Sequence, residues 1–301
     1  MKQTCIAILA AGALLASHAA SIVETDRVEL TGITDVKIEG LCLDIRIRGT
    51  DSDTVRFEGN DVSDALDVRC EKSGSRLVVK VSRLKPLAPF ACSGSLAFSL
   101  PRATTVRVKD GSGSIAVSGL RSTEIEASSR SGSIAIGNCT AVLRLTSASG
   151  SVQVSNCSGQ KDIATASGSV TVSGSRGSLN VTTASGSHDY ENTTGLITAR
   201  TASGRVDIEN HTGQLNVKTI SGSIDGEHIS FTGNSSLEST AGRIDMEFDT
   251  DLDSLTFDLH STAGSLEVGE TEAGRSLITG KGPIRVTGRT VSGSQSYSKA
   301  E

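Results

Sequence analysis

Residues 147–172 read SASGSVQVSNCSGQKDIATASGSVTV, and the same turn returns at Ala184-Ser185-Gly186-Ser187 and Ala202-Ser203-Gly204. The turn glycines Gly132, Gly150, Gly168, Gly186, Gly204 and Gly222 each follow the last by eighteen residues. Gly113 lies nineteen before the first, and Gly242 and Gly264 follow at intervals of twenty and twenty-two. A second series, Gly159, Gly177, Gly195 and Gly213, falls nine residues beyond members of the first. A fixed short period means one supersecondary unit stacked on copies of itself.

Two and four residues after each turn glycine come apolar pairs: Ile115/Val117, Ile134/Ile136, Val152/Val154, Val170/Val172, Val206/Ile208, Ile244/Met246 and Leu266/Val268. The second half-repeat carries its own pairs, Leu143/Leu145, Leu179/Val181 and Leu215/Val217. Alternation with period two marks strands buried on one face. Each unit is therefore two short strands joined by two tight turns, and glycine suits such turns because it enters positive-φ conformations. One coil cannot bury both stripes alone, whereas stacked coils enclose a narrow core of Val, Ile and Leu. The fold class expected is all-β, a parallel β-solenoid (β-helix) with eighteen-residue, two-strand coils. The general rule for parallel crossovers favours a right-handed path. Turn serines Ser149, Ser167, Ser185, Ser203 and Ser221 read as a structural ladder along one edge, since hydroxyls can satisfy turn backbone groups locally.

The flanks are less regular. Ile6 to Ala16 is a short apolar run after Lys2, and Ser17-His18-Ala19 suits signal cleavage, so 1–19 reads as a secretory signal peptide. That run is shorter than the ~20 residues of a membrane span, and no other segment is apolar enough for one. Residues 20–108 alternate in places, as at Leu43-Asp44-Ile45-Arg46-Ile47, and are broken by Lys85-Pro86-Leu87-Ala88-Pro89. They read as an irregular β start and cap of the solenoid, with regular coils over 109–290. Ser-rich 291–301 reads as a disordered tail. An open solenoid end offers unpaired strand edges, so end-to-end self-association is expected of it.

Composition agrees with an extended form. The chain has no Trp, two Tyr and six Phe, too few for a thick core, and its formal net charge of -5 gives no reason to expect nucleic acid. Export implies an oxidising compartment. Cys139 and Cys157 sit one period apart in like contexts, so stacking would set them roughly 4.8 Å apart, and a Cys139–Cys157 disulfide is expected. Cys42, Cys70 and Cys92 are left without an assigned pairing.

Phe98-Ser99-Leu100-Pro101, then Val106-Arg107-Val108, then repeated turns such as Ser131-Gly132-Ser133-Ile134 resemble the DUF4097 putative adhesin family. That family is related to the GIN head domain of putative autotransporter adhesins. The resemblance implies an exported bacterial β-solenoid of the cell envelope, periplasmic, surface-located or secreted. It carries no catalytic residues over to this chain.

Three and five residues after the turn glycines, side chains should face solvent. From Gly186 onward these positions are acidic: Asp189/Glu191, Asp207/Glu209, Asp225/Glu227 and Asp245/Glu247, then Glu267. Stacking would form two carboxylate columns along one face. Like charges in register cost a few tenths of a kcal/mol per pair, roughly, so a compensating partner is expected: a cationic envelope ligand, or calcium bound weakly at the same carboxylates. The competing reading is a solvated face that keeps a long β-surface soluble. His188 and Tyr190 fall on inward positions and read as an enlarged core layer, helped by small Ala199. Stacked Thr165, Thr183, Thr201 and Thr219 could suggest ice binding, but no Thr-x-Thr pair repeats across coils.

Parallel β-helices include polysaccharide lyases and hydrolases, which is the alternative reading. Equivalent carboxylate pairs on a flat face lack the single differentiated pair that hydrolysis needs. No nucleophile elbow or zinc-protease motif occurs either. The chain therefore reads as a non-enzymatic binding or scaffold protein that needs no cofactor.

Overall fold

The computed structural model describes residues 19–22, 28–84 and 92–300. The signal peptide expected over 1–19 lies, apart from Ala19, outside those residues, and so does the run Lys85 to Pro89. The chain forms two compact units, Met1–Gly150 and Ser151–Glu301.

Each unit is built from the two-strand coils that the period predicts, so both are parallel β-solenoids. In the first unit, Ile115–Ser118 pairs parallel with Ile134–Gly137, setting Ile115 against Ile134 and Val117 against Ile136. These strands follow the Ser-Gly-Ser turns and make the front face. On the back face Arg121–Ser129 pairs parallel with Thr140–Ser147, with Ile125 opposite Leu143. In the second unit the long strands His188–Ser203 and Val206–Ser221 run across both faces and stay in register over their length. The eighteen-residue spacing is that register. Inward residues such as Val170, Val181, Val206 and Leu215 are wholly buried, which gives the narrow aliphatic core.

Glycine is required in the turns for a second reason beside the positive φ expected, which Gly222 (156°) and Gly264 (154°) do show. Gly132, Gly150, Gly186 and Gly204 are not in the positive-φ region. Instead each Cα abuts the carbonyl of the glycine one coil earlier. A Cβ on Gly132 would lie 1.9 Å from Gly113 O, and one on Gly204 would lie 2.2 Å from Gly186 O. The mid-period series does use positive φ, as at Gly177 (105°) and Gly195 (125°). A third recurring position, not read from the sequence, is left-handed: Asn138 in the first unit and Asn156, Asn192 and Asn210 in the second, with φ between 52° and 54°. Asparagine enters that region more readily than most residues.

The hydroxyls that serve the turns are also not the expected ones. Ser149, Ser167, Ser185, Ser203 and Ser221 are exposed. The residue three before the glycine is buried, and in most coils it bonds the turn backbone, Thr219 Oγ1 being the one left without a partner in this column among the described residues. Gly132 N donates to Ser129 Oγ (2.8 Å), Gly150 N to Ser147 Oγ (2.9 Å) and Gly168 N to Thr165 Oγ1 (2.7 Å). Thr165, Thr183, Thr201 and Thr219 belong to this column at 5% exposure or less, so they present no threonine surface to ice.

Both ends reorder the coils. In the first unit the coil Asp35–Glu39 and Asp44–Thr50 comes first in sequence but lies second in space. Arg76–Arg83 and Ser95–Pro101 pair along one side of it, and Thr105–Asp110 and Ile115–Ser118 along the other. Antiparallel Leu66–Ser73 and Thr54–Asn60 then cover the outer coil, bordered by Ala19–Ile22 and Val28–Thr31. In the second unit Ile284–Ser292 and Gln295–Lys299 insert between the coil Ser235–Ala241 and Ile244–Phe248 and the coil Leu255–Ala263 and Leu266–Val268. Antiparallel Ser276–Gly280 and Thr271–Ala273 cover the far side.

This corrects the tail expected at 291–301. Ser292-Gly293-Ser294 is one more turn of the ladder, with Gly293 packed on Gly242 O and Gly264 packed on Gly293 O, and Tyr297 is fully buried. The edges open to the expected end-to-end pairing are short, four residues each at Ala19–Ile22 and Val28–Thr31, five at Ser276–Gly280 and three at Thr271–Ala273.

The cysteines are also reassigned. The disulfide formed among the described residues is Cys42–Cys92, with Cα atoms 6.0 Å apart. Asp44 pairs with Ser95, which brings the two preceding turns together. The expected Cys139–Cys157 bond is not formed: both are buried thiols, Cys139 Sγ donating to Gly137 O and Cys157 Sγ to Ser155 O. Burial lifts the Cys70 thiol to about 11.

Two expectations follow. Gly204→Ala should cost roughly 1–3 kcal/mol, as forced overpacking does, while Ser203→Ala stays within about 0.5 kcal/mol. Equal denaturant midpoints for the two variants would refute the close-approach reading. Cys42→Ser should remove about 4 kcal/mol, the loop-closure value for a separation of 50 residues, and adding reductant to that variant should change nothing further.

Candidate functional site

The expected acidic columns form on the front face of the second unit. Asp189 pairs with Asp207, Asp207 with Asp225 and Asp225 with Asp245. Glu191, Glu209 and Glu227 line up beside them. The register then shifts after Gly226, so Glu247 does not directly oppose Glu227. The inserted coil also places Ser296 between Asp245 and Glu267, so Glu267 does not extend the column.

The two columns differ in environment. The aspartates are partly neutralised from within the fold by arginines that follow the turn glycines. Arg205 pairs with Asp207 and lies 3.0 Å from Asp225, and Arg243 lies 3.1 Å from Asp225 and 3.6 Å from Asp245. Asp225 keeps only 14% of its side chain exposed. Burial raises the Asp207 carboxyl above the usual carboxylate range; Arg205 opposes this, and Asp225 and Asp189 add to it. The glutamates are exposed. Their side-chain bonds are to adjacent asparagines, Asn192 Nδ2 donating to Glu191 at 3.0 Å and Asn210 Nδ2 to Glu209 at 3.4 Å. Among the described residues no cation pairs with Glu191, Glu209, Glu227 or Glu247. Nor, among them, is any group of three or more His, Cys, Asp or Glu side chains arranged to hold a metal ion. Arg205 thus bridges Asp207 and Asp225, and Arg243 bridges Asp225 and Asp245.

His188 and Tyr190 lie inside, both at 0% exposure. His188 Nε2 is hydrogen-bonded to Thr183 Oγ1 at 2.8 Å, and His188 Nδ1 to Tyr190 OH at 2.9 Å. The same device recurs near the C-terminus. Tyr297 OH donates to Gln295 Oε1 (3.0 Å), and Gln295 Nε2 donates to Thr290 Oγ1 (3.1 Å). Each tyrosine layer has a small residue in the back strand, Ala199 in one and Gly288 in the other; a Cβ on Gly288 would meet Tyr297 OH at 2.3 Å. These are satisfied core layers.

Sequence reasoning passed over Lys161, which is 1% exposed at a core position opposite Leu179. Its ammonium donates to the carbonyls of Gly159 (2.8 Å) and Arg176 (2.7 Å), and burial lowers its pKa. The only sequence signal was a lysine on an inward position of the alternation.

Burial lowers His188 and His211 to about 4, against roughly 6.5 when unfolded. The unfolded chain therefore binds more protons between those values, so stability falls as pH drops from about 6.5 to about 4, by on the order of 3 kcal/mol per site. His188→Gln, which copies the Gln295 layer, should flatten part of that slope in urea titrations at pH 7 and pH 4.5. An unchanged slope would show that His188 is not neutral in the fold.

No curated protein matches the sequence. Among solved structures, a putative cell adhesion protein from Clostridium sporogenes ATCC 15579 aligns over 92% of this chain and 100% of that chain, at 8% identity and a TM-score of 0.28. The Toastrack DUF4097 family model matches residues 33–196 and 194–292, nearly all of the β-solenoid. The chain belongs to the Toastrack DUF4097 family.

Proposed function

We propose that this protein is an exported, non-enzymatic, adhesin-like solenoid of the cell envelope that binds or scaffolds through its acidic front face. The observation that carries the reading is the difference between the two columns. Arg205 and Arg243 balance the aspartates, but Glu191, Glu209 and Glu227 stack in register without cations of their own. Stacked like charges disfavour the fold slightly, and a multivalent cationic surface relieves that cost on every coil at once. A repeating row of equal charges suits an extended basic partner better than a small substrate. It lacks the single differentiated acid–base pair that hydrolysis requires.

The test is a titration of the mature protein with calcium and, separately, with oligolysine, beside a variant carrying Asp207→Asn, Glu209→Gln, Asp225→Asn and Glu227→Gln. Oligolysine should bind the parent, weaken with salt, and lose at least tenfold in affinity with the variant. Calcium should raise the melting temperature little. Equal oligolysine binding by both proteins would leave the row as a solubilising face, and a large calcium-dependent rise lost in the variant would make it a cation site.

A further inference from the structure

The back face of the second unit holds a groove of about 430 Å³ that plays no part in the acidic-face reading. It forms where the inserted C-terminal coil lies between its neighbours. Glu238 is in register with Lys218 on one side and Arg289 on the other, and His260 opposes Arg289. Arg275 reaches the same groove from the turn between the two antiparallel cover strands.

The charges do not cancel. Lys218 donates to Glu238 at 2.8 Å, so those two are satisfied by each other. His260 is hydrogen-bonded to Asp258 at 3.0 Å, and Asp258 also accepts from Arg285 at 2.8 Å. Arg275 and Arg289 have no ion-pair partner among the described residues. Two guanidinium groups therefore face one open cavity uncompensated, in a protein whose net charge is -5. Planar guanidinium forks match carboxylate and sulfate oxygens.

The rest of the lining identifies the kind of anion. Val291, 52% exposed, lies beside Thr240 and Thr262 in the groove wall. Ile220 and Ile278, at 55% and 69%, are further exposed aliphatics on the same face. Aliphatic side chains next to hydroxyls and guanidiniums suit a ring with one C–H face, several hydroxyls and an acidic group. No Phe, Tyr or Trp side chain lines the groove, so a nucleobase would find only His260 and the guanidinium planes to stack on.

We propose that this groove binds an anionic saccharide, with the carboxylate or sulfate held between Arg275 and Arg289 and the sugar ring resting on Val291. Such a site stands opposite in charge to the front face and would let one chain engage an acidic glycan and a basic partner separately.

The test titrates the full mature chain with an oligogalacturonate, a heparin-derived oligosaccharide, a neutral maltooligosaccharide and inorganic phosphate, followed by calorimetry. One or both acidic sugars should bind, and which one distinguishes carboxylate from sulfate. Arg275→Gln with Arg289→Gln should weaken that binding at least tenfold at an unchanged melting temperature. Val291→Ser should weaken it several-fold. The acidic-face variant should bind the sugar as the parent does, which separates this result from the fate of the front face. The proposal is overturned if neither acidic sugar binds, if the neutral sugar binds equally well, if phosphate binds as tightly as the acidic sugar, or if the double arginine variant keeps its affinity.

Discussion

The contact on which the structure depends is backbone against backbone: the α-carbon of each turn glycine resting on the carbonyl of the glycine one coil away. A Cβ would fall 1.9–2.3 Å from that oxygen at Gly132 and Gly150 in the first unit and at Gly186, Gly204, Gly222, Gly242, Gly264 and Gly293 in the second, so no other residue fits without moving the turn. The column sets how closely successive coils approach at their shared edge. It leaves room below the turn for the buried Ser or Thr that bonds the turn's N–H or carbonyl groups. Asp110 takes that position in the first regular coil, accepting from Gly113 N, with a carboxyl raised by burial.

A core set by such a narrow coil tolerates large residues only in matched layers. Tyr190 is accommodated with Ala199 in the back strand, and Tyr297 with Gly288. Each phenol is also given a partner two residues back and a threonine beyond it. An aromatic group at the second unit's end, Phe231, Phe248, Phe257 and Tyr297, fills the wider layers beneath the inserted coil. The same insertion that ties the C-terminus between two coils also creates the basic groove, because it places Arg289 beside Glu238 and His260.

Exact register turns single surface residues into rows. On the front face it aligns carboxylates and then supplies Arg205 and Arg243 from the turns to balance the inner row. On the back face it aligns a mixed row whose surplus is positive. Since like charges in register are mildly unfavourable, an uncompensated row is a feature that packing alone does not explain, and both binding proposals rest on that asymmetry.

Much of this was legible from the chain alone. The eighteen-residue period dictated the parallel solenoid, the inward Val, Ile and Leu pairs, and the stacking of Asp189 through Asp245, because in a repeat the sequence offset is the pairing register. What the sequence could not reveal lay where the register is broken by topology. The first coil is sandwiched between later ones, the last coil is inserted between earlier ones, and Gly293 therefore stacks between Gly242 and Gly264 although it follows both in sequence. For the same reason Cys42 meets Cys92 rather than remaining unassigned, and Arg289 reaches a groove shared with Lys218. Local periodicity specifies which residues face inward and how neighbouring coils align. The order in which coils stack is decided by which arrangement buries the chain ends and pairs the open strand edges, and that is a property of the whole folded unit.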